Sequence, residues 1–315
     1  MKPTLTIVVP LYNSEATLDR LITDLSALNV NGGHELVLVN DGSRDKTIAV
    51  CERLMRTATV PITLVKLSRN FGEHHAVMAG LHHANGEFIV TMDDDLQNPP
   101  SEVMKLVNHA REGGHEVVYS FYEDKQHEGW RNLGSWLTNR MADFLLDKPK
   151  GLYLSSFRCM SAFVAREICR YEGPFAYVDG LILQVTQSIG RVLVEHAARE
   201  SGRSGYTLRK LVKLWMNMFV NFSVVPLHLA TMLGFAMAAL GFIYTIAVIW
   251  ERVTLGTPLG WSSLMAALTV FSGTQLIVLG MAGEYIGRLY LTANKRPQFV
   301  VKEVMRGGPA SDSNP

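Results

Sequence analysis

Three consecutive aspartates, Asp93, Asp94 and Asp95, follow the apolar run Phe88–Met92 and precede Leu96-Gln97-Asn98-Pro99-Pro100. Carboxylates packed this closely repel one another, so the cluster needs a cation or hydrogen-bond donors to be tolerable. Hard divalent cations take oxygen ligands, and Mg²⁺ is typically held by one or two carboxylates together with substrate phosphates. At the end of a strand, side-chain direction alternates. Asp93, Asp95 and Gln97 then share one side, and Asp94 faces away as a solvated or capping group. Asp93, Asp95 and Gln97 could hold a metal that neutralises a diphosphate leaving group. Capping of a helix starting at Ser101 would need one such residue, not three.

Alternating strands and amphipathic helices must position this cluster. Residues 4–10, TLTIVVP, read as a strand, and Ser14 can cap a helix with the stripe Leu18, Leu21, Ile22 and Leu25. HELVLVN (34–40) and ITLVKLS (62–68) are further strands, separated by a helix carrying Val50, Leu54 and Met55. The next helix stops at Asn85-Gly86; EFIVTM is a fourth strand and HEVVYSF (115–121) a fifth, after a helix ending at Gly113-Gly114. Near-continuous apolar strands between helices imply a parallel sheet covered on both faces. Ligands bind such sheets outside the carboxyl ends of the strands. That rule selects PLYNSE, NDGSRD, SRNFGEH and DDDLQNPP. No G-x-G-x-x-G follows the first strand and no G-x-x-x-x-G-K-[ST] occurs, so the dinucleotide fingerprint and the P-loop are both absent.

Beyond residue 121 the pattern changes. An amphipathic helix is expected over 130–146, then SSFRCMSAF (155–163), a helix near 179–189 and a strand at 191–197. Residues 205–222 are basic early and aromatic later (Trp215, Phe219, Phe222), as in a helix lying along a membrane surface. Two apolar stretches follow, 224–250 and 262–287; the first has no charged residue and the second none before Glu284. Each exceeds the roughly 20 residues that cross a bilayer as a helix. Arg209, Lys210 and Lys213 precede them, Arg288, Lys295 and Arg296 follow, and the connection holds one Arg. Both ends are therefore expected in the cytoplasm, in a multi-pass protein of the inner membrane.

The 315 residues carry a formal net charge of +1, which gives no argument for a nucleic-acid partner. Cys51, Cys159 and Cys169 have no metal-type spacing and fit a reducing compartment. The N-terminus reads as a strand, not a signal peptide. His74, His75, His82 and His83 share a helix, but no Cys or carboxylate completes a zinc set. His228 is read as a packing hydrogen bond within the first span, Glu284 as the partner of Arg288 one turn on, and GGPASDSNP as disordered.

The ordered set IVVPLYN, VNDGS, SRNFGEH and DDDLQNPP resembles the nucleotide-sugar-binding domain of glycosyltransferase family 2, in its membrane-bound polyprenyl-phosphate branch. The likeness continues through SFRCMSAF, ARESGRSGYTLRKL and the tail LGMAGEYIGRLY. It implies an α/β GT-A fold with a C-terminal two-helix transmembrane hairpin. The implied layout is a nucleotide-sugar core (1–122), acceptor elements (123–204), an interfacial helix (205–223), two spans (224–287) and a cytoplasmic tail (288–315).

By position, the resemblance implies that Pro10, Tyr12 and Asp41 line the base and ribose pocket. Asn13, Glu15, Arg69 and Asp94 are placed near the nucleotide, Asp93 by the ribose or metal, and Asp95 and Gln97 on the metal, Mg²⁺ or Mn²⁺. Arg158 is expected to face an acceptor phosphate, with Arg199 and Arg203 in a loop closing over the site. Ser14 stands where Glu is usual, and Asp94 where Ala is common. The implied reaction is attack of a polyprenyl phosphate, such as undecaprenyl phosphate, on a nucleotide sugar (UDP favoured over GDP), with inversion, for cell-envelope glycan or lipid modification. Hairpins could also associate, so a homo-oligomer is compatible. A polysaccharide synthase would carry Q-x-x-R-W and more spans; a nucleotide-sugar sensor or membrane scaffold would bind without transfer.

Overall fold

The computed structural model describes residues 2–122, 152–195, 225–255 and 260–309. The expected helix at 130–146, the interfacial helix at 205–223, Arg199, Arg203, Arg209, Lys210 and Lys213 lie outside the described residues. The chain forms two compact units, one of Met1–Thr207 with Arg296–Pro315 and one of Leu208–Lys295.

In the first unit, β1 (Leu5–Leu11), β2 (His34–Asn40), β3 (Ile62–Leu67) and β4 (Phe88–Thr91) are parallel. They are linked through α1 (Leu18–Ser26), α2 (Thr47–Thr57) and α3 (Glu73–Leu81). Then come α4 (Val103–Gly113), β5 (Val117–Phe121), β6 (Arg158–Ser161), α5 (Ala162–Cys169), α6 (Val178–Val185), β7 (Ile189–Leu193) and β8 (Val301–Gly307). The eight strands form one sheet in the order β7-β5-β6-β4-β1-β2-β3-β8.

Alternation explains the two buried faces. Leu5, Ile7, Val9 and Leu11 join a core with Leu18, Leu21, Ile22 and Leu25 of α1 and Leu106 and Val107 of α4. Val8 and Val39 belong to the opposite face, under α3. Gly80 permits that approach, since a Cβ there would run into both valine side chains.

The sheet departs from the expected all-parallel arrangement. β6 runs antiparallel to both β4 and β5, and β8 antiparallel to β3. β8 was not expected at all, because residues 288–315 read as a tail; Met305 packs on the core and Lys66 of β3 bonds Glu303 at 3.1 Å. Of the supposedly disordered GGPASDSNP, Gly307 ends this strand. Ser14 does not cap α1, which starts at Leu18 behind Thr17 with no side-chain cap.

The second unit holds α7 (Val225–Leu255) and α8 (Trp261–Ala293). Leu227–Trp250, with a mean hydropathy of 2.2, is long and apolar enough to cross a membrane. The two helices approach at Gly241, where a Cβ would lie 2.6 Å from the Phe271 ring. Glu284 pairs with Arg288 as expected, at 3.0 Å. His228 is exposed on α7 and not packed between helices.

Candidate active site

From β1 the chain goes to β2 and β3 on one side and then returns to β4 on the other. The switch point therefore lies between β1 and β4, where open α/β sheets bind ligands. Pro10 fits there because β4 pairs β1 only through Val8↔Thr91. Its missing N–H costs no ladder bond on that side.

The strand does not carry on through the aspartates. β4 ends at Thr91, the chain bends from Asp94 to Asn98, and Leu96 is buried with φ of 60°. A bulky residue in the left-handed region is strained, a condition that clusters at functional sites. Strict alternation therefore does not apply, and each aspartate has its own setting. Asp93 accepts a 2.6 Å bond from the Ser156 hydroxyl, on the β6 side. Asp94 faces the β1 loop, taking the Ser14 hydroxyl and the Tyr12 N–H at 3.4 Å. Asp95 accepts from the Gln97 N–H at 3.2 Å. Asp94 is thus no solvated bystander or helix cap; it ties the β4 loop to the β1 loop.

Crowding shows in the acidities. Burial, then the charge of Glu73, pushes Asp93 up to about 7 against the Ser156 bond. Burial likewise raises Asp94 to about 6. Glu73, which opens α3, is raised first by enclosure in the cleft and then by Asp179, Asp94 and Asp95, with Arg158 opposing. Glu73 still reaches solvent, so it borders the cleft and is not sealed in the core. Accumulated negative potential of this kind is what a divalent cation relieves. Among the described residues no three His, Cys, Asp or Glu side chains form a closed ligand set. An oxygen-rich but incomplete set suits a cation that shares its shell with a diphosphate.

The β2 and β3 loops frame the other side. Asp41 is buried, and its carboxylate accepts from Phe71 N–H at 2.7 Å and Gly72 N–H at 2.8 Å. Gly42 (φ 68°) allows this contact, since a Cβ would sit 2.6 Å from the Arg69 carbonyl carbon. Arg69 lies over the Phe71 ring at 4.5 Å. Asn13 (φ 57°) and Glu15 are spent on loop-to-loop ties, accepting from Arg44 N–H and Lys46 N–H, both at 2.9 Å. Tyr12, 48% exposed, keeps an open ring beside the cleft.

Arg158, expected to face an acceptor phosphate, is held inside the protein. It is 1% exposed, donates through Nε to Thr91 Oγ1 at 3.2 Å, and is paired with Asp179 of α6. Tyr119 also donates to Asp179, at 2.9 Å. These contacts tie the Arg158 guanidinium to β4 and α6.

Sequence reasoning selected the loops that carry Ser14 and Glu73 without giving either residue a role in the site, and it gave none to Ser156 or Asp179. Asp179 carried a signal of its own, as the lone carboxylate in the apolar run VDGLILQV, where burial demands a partner. Glu73 reads as an ordinary acidic first turn. The four helical histidines do not converge. His74 packs edge-on against Tyr177 and is pushed down to about 4 by burial; His82 bonds Met78 O.

This arrangement suits binding of an anionic, metal-associated leaving group, and comparison with known proteins gives its family. Residues 6–169 match glycosyl transferase family 2, and residues 225–289 match the GtrB C-terminal hairpin. The chain belongs to glycosyltransferase family 2. This glycosyltransferase is 34% identical over 313 residues to the undecaprenyl-phosphate 4-deoxy-4-formamido-L-arabinose transferase of Pseudomonas savastanoi pv. phaseolicola, covering 95% of this chain and 90% of that protein. Against the transferase of the same name from Pseudomonas fluorescens the identity is 35%, covering 97% and 91%. Among solved structures, glucosyl-3-phosphoglycerate synthase from Mycobacterium tuberculosis, in complex with Mn²⁺, UDP-glucose and phosphoglyceric acid, aligns with a TM-score of 0.52. It covers 69% of this chain and 80% of its own at 22% identity. That likeness shows the shared GT-A sheet. The hairpin match makes the enzyme membrane-associated.

Proposed function

We propose that this glycosyltransferase moves a sugar from a nucleotide sugar to undecaprenyl phosphate. The observation that carries the reading is the near full-length match to undecaprenyl-phosphate sugar transferases, and the acidic cleft at the β1/β4 switch point is consistent with it. A phosphate oxygen of the acceptor attacks the anomeric carbon, the bond to the diphosphate breaks, and the nucleoside diphosphate departs with the electron pair. One such displacement inverts the anomeric centre. The nucleophile is already anionic, so alignment and charge stabilisation dominate over proton transfer.

Asp93, Asp95 and Gln97 would hold Mg²⁺ or Mn²⁺, whose contribution is to neutralise the departing diphosphate. Asp94 fixes the β1 loop, so that Pro10 and Tyr12 can flank the base. Asp41 holds the Arg69–Gly72 turn beside them. Arg199 and Arg203 are the arginines proposed for the acceptor phosphate. The carrier proposed is UDP, and 4-deoxy-4-formamido-L-arabinose, named in the relatives, is the first sugar to try.

The hairpin is proposed to span the membrane twice, with the catalytic unit and both termini cytoplasmic. Met1–Thr207 and Arg296–Pro315 form one unit, with β8 paired to β3, which supports placing both flanks of the hairpin on the same side. Arg288, Lys295 and Arg296 favour the inner side.

The test is incubation of membranes containing the enzyme with undecaprenyl phosphate and labelled nucleotide sugars, with and without chelator. A lipid-linked sugar that disappears with chelator and returns with Mg²⁺ or Mn²⁺ is the expected result. Nucleotide-sugar binding without any transfer would overturn the reading in favour of a sensor.

A further inference from the structure

The segment Gln298–Gly307 touches both approaches to the acidic cleft. On one side, Val300 O accepts from Ser68 N–H at 2.9 Å, immediately before the Arg69–Gly72 turn that Asp41 holds. β8 then follows β3 from Leu67↔Val301 to Ile62↔Gly307, with a register shift between Lys66 and Leu67. Lys66 bridges Glu52 of α2 at 2.8 Å and Glu303 at 3.1 Å. Gly308 N–H closes the far end on Met55 O at 3.0 Å.

On the other side, the Gln298 amide donates to Tyr171 O. Tyr171 opens the turn that leads to α6 and Asp179. The turn is fastened again at Pro174, whose carbonyl oxygen lies 3.3 Å from His75 Nε2, and at Tyr177, against His74. Phe299 packs edge-on against His82 at the far end of α3. Three consecutive residues, Gln298, Phe299 and Val300, therefore hold the turn before Asp179, the end of α3 and the start of the Ser68–Gly72 turn. A strand added only for edge protection would need β-ladder bonds alone.

We infer that Gln298–Gly307 is a positioning clamp for the donor end of the cleft, with Gln298 setting the Asp179 side and Val300 the Asp41 side. This rests on the proposed nucleotide-sugar reaction. The clamp residues touch no reacting atom, and they act by fixing where Arg69, Glu73 and Asp179 stand. Misplacing such groups by about an ångström costs up to roughly 100-fold in rate.

The test uses the full chain in detergent micelles. Gln298→Glu keeps the size of the side chain but cannot donate to Tyr171 O, and Gln298→Ala removes it. Both are expected to raise the donor KM about tenfold while leaving the acceptor KM within twofold. Hydrogen exchange should accelerate across 68–75 and 171–179 and stay unchanged across β1. Unchanged donor KM, or equal acceleration everywhere, overturns the clamp. Should these variants not fold, Thr63→Cys with Arg306→Cys tests the same idea from the other direction, because the two residues face each other across β3 and β8. Its disulfide is expected to slow exchange across 68–75, and no slowing overturns the clamp. Wild-type enzyme without transferase activity would instead overturn the proposed function.

Discussion

The two walls of the cleft differ in whether a buried guanidinium stands among their carboxylates. On the β1 wall, Asp94 meets a hydroxyl and a backbone N–H, from Ser14 and Tyr12. On the β6 wall, Asp93 meets the Ser156 hydroxyl, and a buried ion pair joins Arg158 to Asp179. A neutral donor fixes a carboxylate's direction while leaving its charge available to a ligand. A buried guanidinium consumes the charge of its partner. Asp94 and Asp93 are thus both held by neutral donors and keep their charge for a ligand, whereas Asp179 spends its charge on Arg158 and gives the second wall its rigidity.

Breaking the second wall should have the largest effect on stability. Asp179→Leu leaves Arg158 buried without its partner, which costs about 3–5 kcal/mol. Adding Arg158→Met should recover most of that loss, as read by denaturant unfolding. A single variant as stable as the double one would show that the pair does not give the wall its rigidity.

Function should fall most steeply on the carboxylates between the walls. Asp95→Ala is expected to lower transfer at least about 100-fold with an unchanged melting temperature. Asp94→Ala should lower it about tenfold, mainly through donor KM, because the β1 loop loses its tie. Indifference of transfer to Asp94→Ala, measured with labelled donor, would return Asp94 to the role of bystander.

The pH dependence sharpens the contrast further. Burial raises Asp93 to about 7, so the metal-free native state prefers it protonated. Its stabilising contribution is complete below pH 4 and is lost as pH rises through about 7. Asp93→Asn should therefore melt at least about 3 °C higher than wild type at pH 8 without metal, and no higher at pH 4. Calorimetry at the two pH values, in chelator, checks the sign.

The smallest effect belongs to Ser14→Ala. It removes one of two donors to Asp94, and a donor KM increase of about threefold is expected. An increase as large as that of Asp94→Ala would mean that Ser14 alone holds the wall.

Legibility followed chain distance. β1 to β5 were readable because each βα unit buries its own apolar stripe, and β2 matches its expected span residue for residue. The four cleft loops followed from that order. β6 and β8 were not readable as sheet members, because their neighbours lie far away in the chain; β8 reaches β3 across more than 200 residues. Likewise, the pairing of Arg158 with Asp179 joins β6 to α6 and leaves no mark in the residues around either one.

The strand and helix series, the acidic loop, the two long apolar helices and the family can all be read from the order of residues. Periodicity, composition and motif order are local properties, and they survive without coordinates. Which aspartate faces which wall, the pairing of Arg158 with Asp179, and the return of the chain after α8 to complete the sheet emerge in three dimensions alone. Those outcomes depend on where the chain bends after Thr91 and on pairings between distant segments. Neither quantity is carried by any single stretch of residues.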